Sequence, residues 1–204
     1  MKLRLRHTEA ELSYTLVCMA AVSILLGVWR DMLWCTAAIA VHEGGHLAAM
    51  AALGCFPAKI KISPFAIDIV DNTRAQRSLR QNAVILFFGP FANFICVLPC
   101  YLVYLGKNPA VLPLLAANAS VGLFNLLPAL SLDGGMLLYL LLSRRLSHSA
   151  AVRVVNVCTV ICLVPLTALG VLLVMQSRNP SLLFVSAYLG LTLALKRGRL
   201  SFNI

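Results

Sequence analysis

Long apolar runs dominate the sequence and restrict its fold more than any other feature. Stretches of about 18–23 mostly apolar residues recur along the chain, and each is long enough to cross a bilayer as a helix. The chain is 60% hydrophobic and only 12% charged, whereas soluble domains are about 25% charged. The pattern predicts an all-α polytopic membrane protein, with residues 1–204 forming a single domain and no separate soluble domain.

The apolar runs predict six transmembrane helices, of which the fourth is broken. The predicted spans are residues 12–29, 32–54, 83–105, 110–142, 151–175 and 181–195. A short turn at Arg30-Asp31 joins the first two. Breaks are expected in the fourth span at residues 125–128 and 131–135, and broken backbone at membrane depth requires cover from protein or a water-filled cavity.

A more polar insertion, residues 55–82, follows the second span. Residues 59–70 alternate polar and apolar side chains on both sides of Ser63-Pro64, which predicts a small membrane-associated β-hairpin. Arg74, Arg77 and Arg80 recur every third residue and favour a short helix at the headgroup layer.

The positive charges predict the membrane topology. If the N-terminus is cytoplasmic, only Arg30, Lys107 and Arg178 of the 17 Lys and Arg residues lie on the outer side, so both termini are expected in the cytoplasm. The net charge of +10 does not indicate nucleic-acid binding, because the basic clusters lack interleaved aromatic residues and would meet lipid headgroups of the bilayer.

Seven cysteines give no disulfide framework, because their number is odd and all but Cys55 lie in apolar runs. Two pairs have helical i, i+4 spacing and could bind a metal, although small buried apolar residues are the more ordinary interpretation. These pairs are Cys96 with Cys100 and Cys158 with Cys162.

The second span contains the motif His42-Glu43-x-x-His46. On a helix the two histidines lie on one face, so both imidazoles can bind one Zn²⁺ while Glu43 serves as a general base. Ionisable groups at membrane depth are unfavourable and indicate function. The alternative is a chance match whose polar groups pair with one another.

Asp133 is the expected third zinc ligand. Of the seven acidic residues, only Glu43 and Asp133 lie within the apolar runs. The adjacent Gly134-Gly135 would let the broken helix approach the second span closely. A second role for Asp133, as the N-cap of the helix that follows the break, is compatible with the first.

These motifs resemble those of the site-2 proteases, the intramembrane zinc metalloproteases, and most of all a compact bacterial branch that acts in sporulation. The matching segments are His42-Glu43-x-x-His46, Gly89-Pro90-x-x-Asn93 and Asn125-x-x-Pro128-x-x-x-Leu132-Asp133-Gly134-Gly135. Two residues depart from the family pattern: Ser131 stands where many relatives have proline, and Met136 where many have a basic residue. These departures bear on substrate preference more than on the chemistry.

The resemblance implies a multi-pass endopeptidase of the bacterial cell membrane with one Zn²⁺. It implies cleavage of a membrane or membrane-associated protein, such as a pro-sigma or anti-sigma factor, under control of regulatory membrane proteins. Asn125 is a candidate for holding the substrate backbone, or alternatively for satisfying nearby carbonyls freed by the break. The hairpin is either a strand that pairs with substrate or a structural element on the bilayer surface.

Two other classes compete with this interpretation. A transporter or a non-catalytic binding partner could also use broken helices and a zinc site, but neither needs Glu43 between the histidines. Another class of membrane metalloprotease would take its third ligand from a glutamate, and the apolar runs contain no second glutamate.

Overall fold

The fold is mostly helical, with a small sheet. The computed structural model describes residues 2–5, 8–12, 21, 23–25, 27, 29–55, 59–62, 67–70, 77–177 and 181–196. The chain divides into two compact units, Met1–Leu123 and Phe124–Ile204.

Six helices of ten or more residues lie in the described part of the chain. They are α1 (Trp29–Ala52), α2 (Leu79–Leu105), α3 (Leu112–Asn125, after a 3₁₀ turn at Pro109–Val111), α4 (Asp133–Leu142), α5 (His148–Ser177) and α6 (Ser181–Lys196). Within the described residues, α2 and the part His148–Gln176 of α5 are long and apolar enough to cross a membrane. Shorter apolar helices are Pro109–Asn125, Asp133–Leu142 and Leu182–Ala194.

Both long helices present large apolar side chains on their outer surfaces. On α5, Ile161 and Val164 are 64% and 65% exposed, and on α2, Leu98 is 63% exposed. A continuous apolar surface of this kind is unfavourable in water and ordinary in lipid.

A four-stranded sheet has the order β1-β2-β3-β4, with β1 at Lys2–Leu5, β2 at Thr8–Leu12, β3 at Lys59–Ile62 and β4 at Ile67–Val70. The outer pairs β1–β2 and β3–β4 are antiparallel. The central pair β2–β3 is parallel, with Glu9 opposite Lys59. Strands β3 and β4 occupy the predicted hairpin, whereas β1 and β2 were not predicted.

The start of the first predicted span needs correction. Leu12 is the last residue of β2, because the alternation in Thr8–Leu12 continues through it. Most of residues 13–28 lie outside the described residues. The turn predicted at Arg30-Asp31 is also wrong, because both residues lie in the first turn of α1. Asp31 is favoured there by the helix dipole. A turn occurs earlier, at Gly27, which has a φ of 73°.

Helix α2 begins four residues before the predicted third span because a capping box starts it at Ser78. The Ser78 hydroxyl accepts from the backbone N–H of Gln81, and the Gln81 side chain accepts from the backbone N–H of Ser78. Arg80 therefore lies inside α2 and not in a separate surface helix, and residues 73–76 of that predicted helix lie outside the described residues.

The predicted break in the fourth span separates α3 from α4. In the second unit, the backbone N–H of Leu130 donates to Thr159 Oγ1 on α5 at 3.0 Å, and Thr159 donates onward to the carbonyl of Val155 at 2.7 Å. The hydroxyls of Ser131 and Thr192 on α6 lie 2.9 Å apart. Side chains of α5 and α6 thus satisfy polar groups that the break would otherwise leave unpaired in an apolar environment.

Candidate metal centre

One buried stripe of α1 carries both motif histidines. The buried residues of α1 recur at helical spacing and face α2: Ala38, His42, Gly45, His46, Ala49 and Met50. His42 is 4% exposed and His46 is 7% exposed. The spacing of four residues therefore places both imidazoles in the interior of the first unit.

The protonation of His46 follows from its partner. Its Nδ1 lies 2.8 Å from the backbone carbonyl oxygen of Ile85. A carbonyl oxygen can only accept a hydrogen bond, so Nδ1 carries the proton and donates it. In the neutral ring, Nε2 is then left with a lone pair available to a metal.

His42 has the same tautomer, imposed by a side chain. Its Nδ1 lies 2.9 Å from Oδ1 of Asn93. The Asn93 amide orientation is fixed because Nδ2 donates to the carbonyl of Ala38 at 2.9 Å and to Oδ1 of Asn118 at 3.0 Å. Asn118 is held in turn by donation from its Nδ2 to the carbonyl of Leu114 at 2.9 Å. Oδ1 of Asn93 therefore accepts from His42.

The two Nε2 atoms lie 3.2 Å apart, and the rings are nearly perpendicular at 88°. Two lone pairs at this distance repel each other unless a cation lies between them. Tetrahedral zinc with nitrogen ligands at about 2.0–2.1 Å separates those ligands by roughly 3.3 Å. The pair of histidines therefore fits a zinc ion in position, tautomer and spacing.

Glycines in the first unit leave room for this pair. A Cβ on Gly89 would collide with Nε2 and Cε1 of His46 and lie 3.0 Å from Cε1 of His42. A Cβ on Gly45 would collide with the carbonyl oxygen of Phe88. Gly45 thus permits the close approach of α1 and α2, and Gly89 keeps the metal-facing side of the imidazoles open.

Glu43 is half-buried on α1 and lies between the two histidines in sequence, but it is not among the buried residues of that helix. Asn125 is the last residue of α3 and is also half-buried.

Asp133 is the first residue of α4 in the second unit. The N-cap is Leu132, without a side-chain hydrogen bond, so the alternative that Asp133 caps this helix is wrong. Its Oδ2 atom is buried. A Cβ on Gly134 or Gly135 would collide with the backbone of Leu126 or Ala129, so the two glycines let the start of α4 pack directly on the break.

Two contributors to this centre were missed from the sequence. Asn93 was part of the motif Gly89-Pro90-x-x-Asn93 but was not identified as the acceptor for His42, and Asn118 was not considered. The available signal was a pair of asparagines in apolar helices, which is unfavourable in a membrane unless the amides are bonded.

Comparisons with known proteins agree on one family. The Peptidase family M50 model matches residues 107–169. Stage IV sporulation protein FB of Bacillus subtilis is 27% identical over 158 residues, covering 76% of this chain and 54% of that protein. The chain thus spans about half the length of this curated relative.

The fold is similar to that of the site-2 protease from Methanocaldococcus jannaschii, with a TM-score of 0.68 and 21% identity over 96% of this chain and 94% of that one. The family-model match contains Asp133 and lies after the His42-Glu43-x-x-His46 motif in the sequence. The chain is similar in sequence to the peptidase M50 family and in fold to a site-2 protease.

Proposed function

We propose that the chain is an intramembrane zinc endopeptidase that hydrolyses a peptide bond in or near the membrane segment of a protein substrate. The observation that carries the proposal is the pair of Nε2 atoms of His42 and His46, 3.2 Å apart with both Nδ1 atoms bonded to oxygen acceptors. A pair made only for packing would gain nothing from two facing lone pairs. Similarity to a peptidase family supports the same activity.

Asp133 is our proposed third ligand to one Zn²⁺. Two imidazoles and a carboxylate form a donor set that can hold a metal ion, and such a set leaves one coordination position open in catalytic zinc sites. The family model covers the segment that contains Asp133. Its place as the first residue of α4, with a buried Oδ2, supports a role beyond helix capping.

Zinc bound there would supply Lewis acidity that polarises the scissile carbonyl and makes water more acidic. His42 and His46 present their lone pairs because Asn93 and the Ile85 carbonyl hold the Nδ1 protons. Glu43 takes a proton from the attacking water and returns one to the leaving amine. This role suits a half-buried carboxylate beside the histidines.

Two elements are proposed to hold the substrate. Asn125, at the end of α3, would hydrogen-bond the unwound substrate backbone. β4 is an edge strand of the sheet, so an extended segment can add to it through backbone hydrogen bonds. A helix conceals its peptide bonds, so the substrate has to unwind before either contact forms.

The biological role is proposed from the relative. Stage IV sporulation protein FB is named for sporulation, and a role in releasing a pro-sigma or anti-sigma factor from the membrane, under regulatory membrane proteins, is the corresponding proposal here. We propose that residues 1–204 act as one domain with six spans in the bacterial cell membrane and with both termini cytoplasmic. The charge asymmetry supports that orientation.

The test compares the purified full chain in detergent with Glu43→Gln. Bound zinc is measured by mass spectrometry and cleavage is measured on model substrates tethered to the membrane. We expect one zinc in both proteins and cleavage by the wild type alone, because glutamine keeps the shape of Glu43 and cannot accept the proton. Glu11→Gln, at a position outside the motif, is the matched control and should leave both readouts unchanged.

Absence of zinc from the wild type would contradict the proposal. Zinc without cleavage of any substrate in the panel would favour the non-catalytic binding partner. Cleavage retained by Glu43→Gln would remove Glu43 from the mechanism and leave the ligand assignment standing.

A further inference from the structure

The turn between α4 and α5 places two adjacent arginines on an ordered backbone. The backbone N–H groups of Arg144 and Arg145 donate to the carbonyls of Leu141 and Leu142, at 3.4 and 3.0 Å. The turn is tied to the second unit by Tyr139, whose hydroxyl lies 2.7 Å from Nδ1 of His148. The two arginine side chains therefore start from a fixed backbone.

An open cavity of about 490 Å³ lies at this turn. Its lining combines both arginines with three leucines, Leu141, Leu142 and Leu146. The volume falls within the range of about 300–1,000 Å³ that is usual for small-molecule sites. Cations beside an apolar wall suit a ligand that has an anionic group at one end and hydrocarbon at the other.

The surrounding sequence contains no carboxylate side chain to neutralise these arginines. Residues 134–204 include no Asp or Glu, although Arg144, Arg145 and Arg153 all lie there. Asp133 is at the opposite end of α4, about 15 Å away along a helix of ten residues. The guanidinium fork pairs well with phosphate oxygens, which it can bind through two hydrogen bonds.

The position of the turn identifies the source of the phosphate. The apolar segment His148–Gln176, which is long enough to cross a membrane, begins three residues after Arg145. A turn that immediately precedes a span lies at the level of the lipid headgroups. We infer that Arg144 and Arg145 bind the phosphate of an anionic phospholipid, whose glycerol and upper acyl carbons contact Leu141 and Leu146.

Native mass spectrometry of the full chain in detergent, titrated with phosphatidylglycerol or phosphatidylcholine, tests this inference. We expect one phosphatidylglycerol bound at least tenfold more tightly than phosphatidylcholine. The double variant Arg144→Gln/Arg145→Gln should lose that preference. The double variant Arg30→Gln/Lys107→Gln removes the same charge from exposed positions elsewhere and should keep the wild-type affinity within twofold.

Two further arms separate the possible explanations. Leu146→Gln should weaken the binding of phosphatidylglycerol severalfold. Inorganic phosphate at about 10 mM should not displace the lipid. Displacement by phosphate, or an unchanged affinity in Leu146→Gln, would overturn the lipid assignment. An equal loss in the control pair would overturn the site, because general charge attraction would then explain the binding. Arg144→Lys/Arg145→Lys retains charge and should give an intermediate affinity, even if the glutamine pair folds poorly.

Discussion

Asn93 and His42 are 51 positions apart in the sequence and are joined by a hydrogen bond of 2.9 Å between Oδ1 and Nδ1. Because Asn93 also donates to Ala38 and Asn118, its amide cannot rotate without losing two further bonds. The tautomer of His42 is therefore determined by a network of buried amides. Residues that do not bind the metal thus prepare the ring that would bind it.

We predict that Asn93→Ala weakens zinc binding by about 10–100-fold, the usual effect of losing a partner that orients a metal ligand. The measurement is a competition titration against a chromophoric chelator. Asn118→Ala is the control: it removes one partner of Asn93 but leaves the bond to His42, so its zinc affinity should change much less. Equal losses in both variants would indicate that general destabilisation, and not the orientation of His42, sets the affinity.

Gly89→Ala should abolish zinc binding, because the new methyl group would occupy the space in front of Nε2 of His46. Gly44→Ala is a matched control on α1, where a Cβ meets nothing within 4 Å. That variant should retain zinc and gain up to about 1 kcal/mol in the free energy of unfolding, from the higher helix propensity of alanine. Zinc content and thermal unfolding, measured on both proteins, check the pair.

Asp133→Asn should reduce the affinity for zinc, because an amide oxygen is a weaker ligand than a carboxylate. The reduction should exceed the roughly 10–100-fold expected for loss of a residue that only orients a metal ligand. Its helix-dipole contribution of about 0.3–1 kcal/mol would also be lost. Asp31→Asn removes a carboxylate from the first turn of α1 and serves as the control for that second effect. If both variants retain wild-type zinc affinity, Asp133 is not a ligand.

Thr159→Val should lower the free energy of unfolding by about 1–3 kcal/mol, because the buried N–H of Leu130 loses its acceptor. Valine preserves the volume, so packing should change little. Thr159→Ser keeps the hydroxyl and should restore most of the stability. Denaturation of the three proteins in one detergent, followed by circular dichroism, gives the comparison. A valine variant as stable as the wild type would show that the Thr159 hydroxyl is not needed as the acceptor for Leu130.

The sequence was informative wherever one local pattern determined the outcome. The spacing of His42 and His46 predicted their shared face, and Asn125-x-x-Pro128 predicted the break before Asp133. The strands at residues 59–70 followed from alternation. Similar alternation in Lys2–Leu5 and Thr8–Leu12 is too short and too strongly charged to predict strands by itself.

Other features depend on contacts between distant residues and could not be predicted from local patterns. The role of Asn93 depends on which side of α2 meets α1, and that side depends on Gly45 and Gly89 allowing the helices to approach. The beginning of α1 at Trp29 was hidden because the charged pair Arg30-Asp31 resembles a turn in an apolar sequence. A helix terminus tolerates such a pair readily.

The parallel pairing of β2 with β3 has a consequence for biogenesis. Open sheets are not tolerated in hydrocarbon, so Leu12 and Lys59 must lie at the same face of the bilayer. The polypeptide between them therefore ends on the side of the bilayer on which it began, and the sheet is completed only after α1 has been synthesised. Reporter groups attached next to Lys2 and next to Val70 should accordingly be labelled from the same side of the membrane.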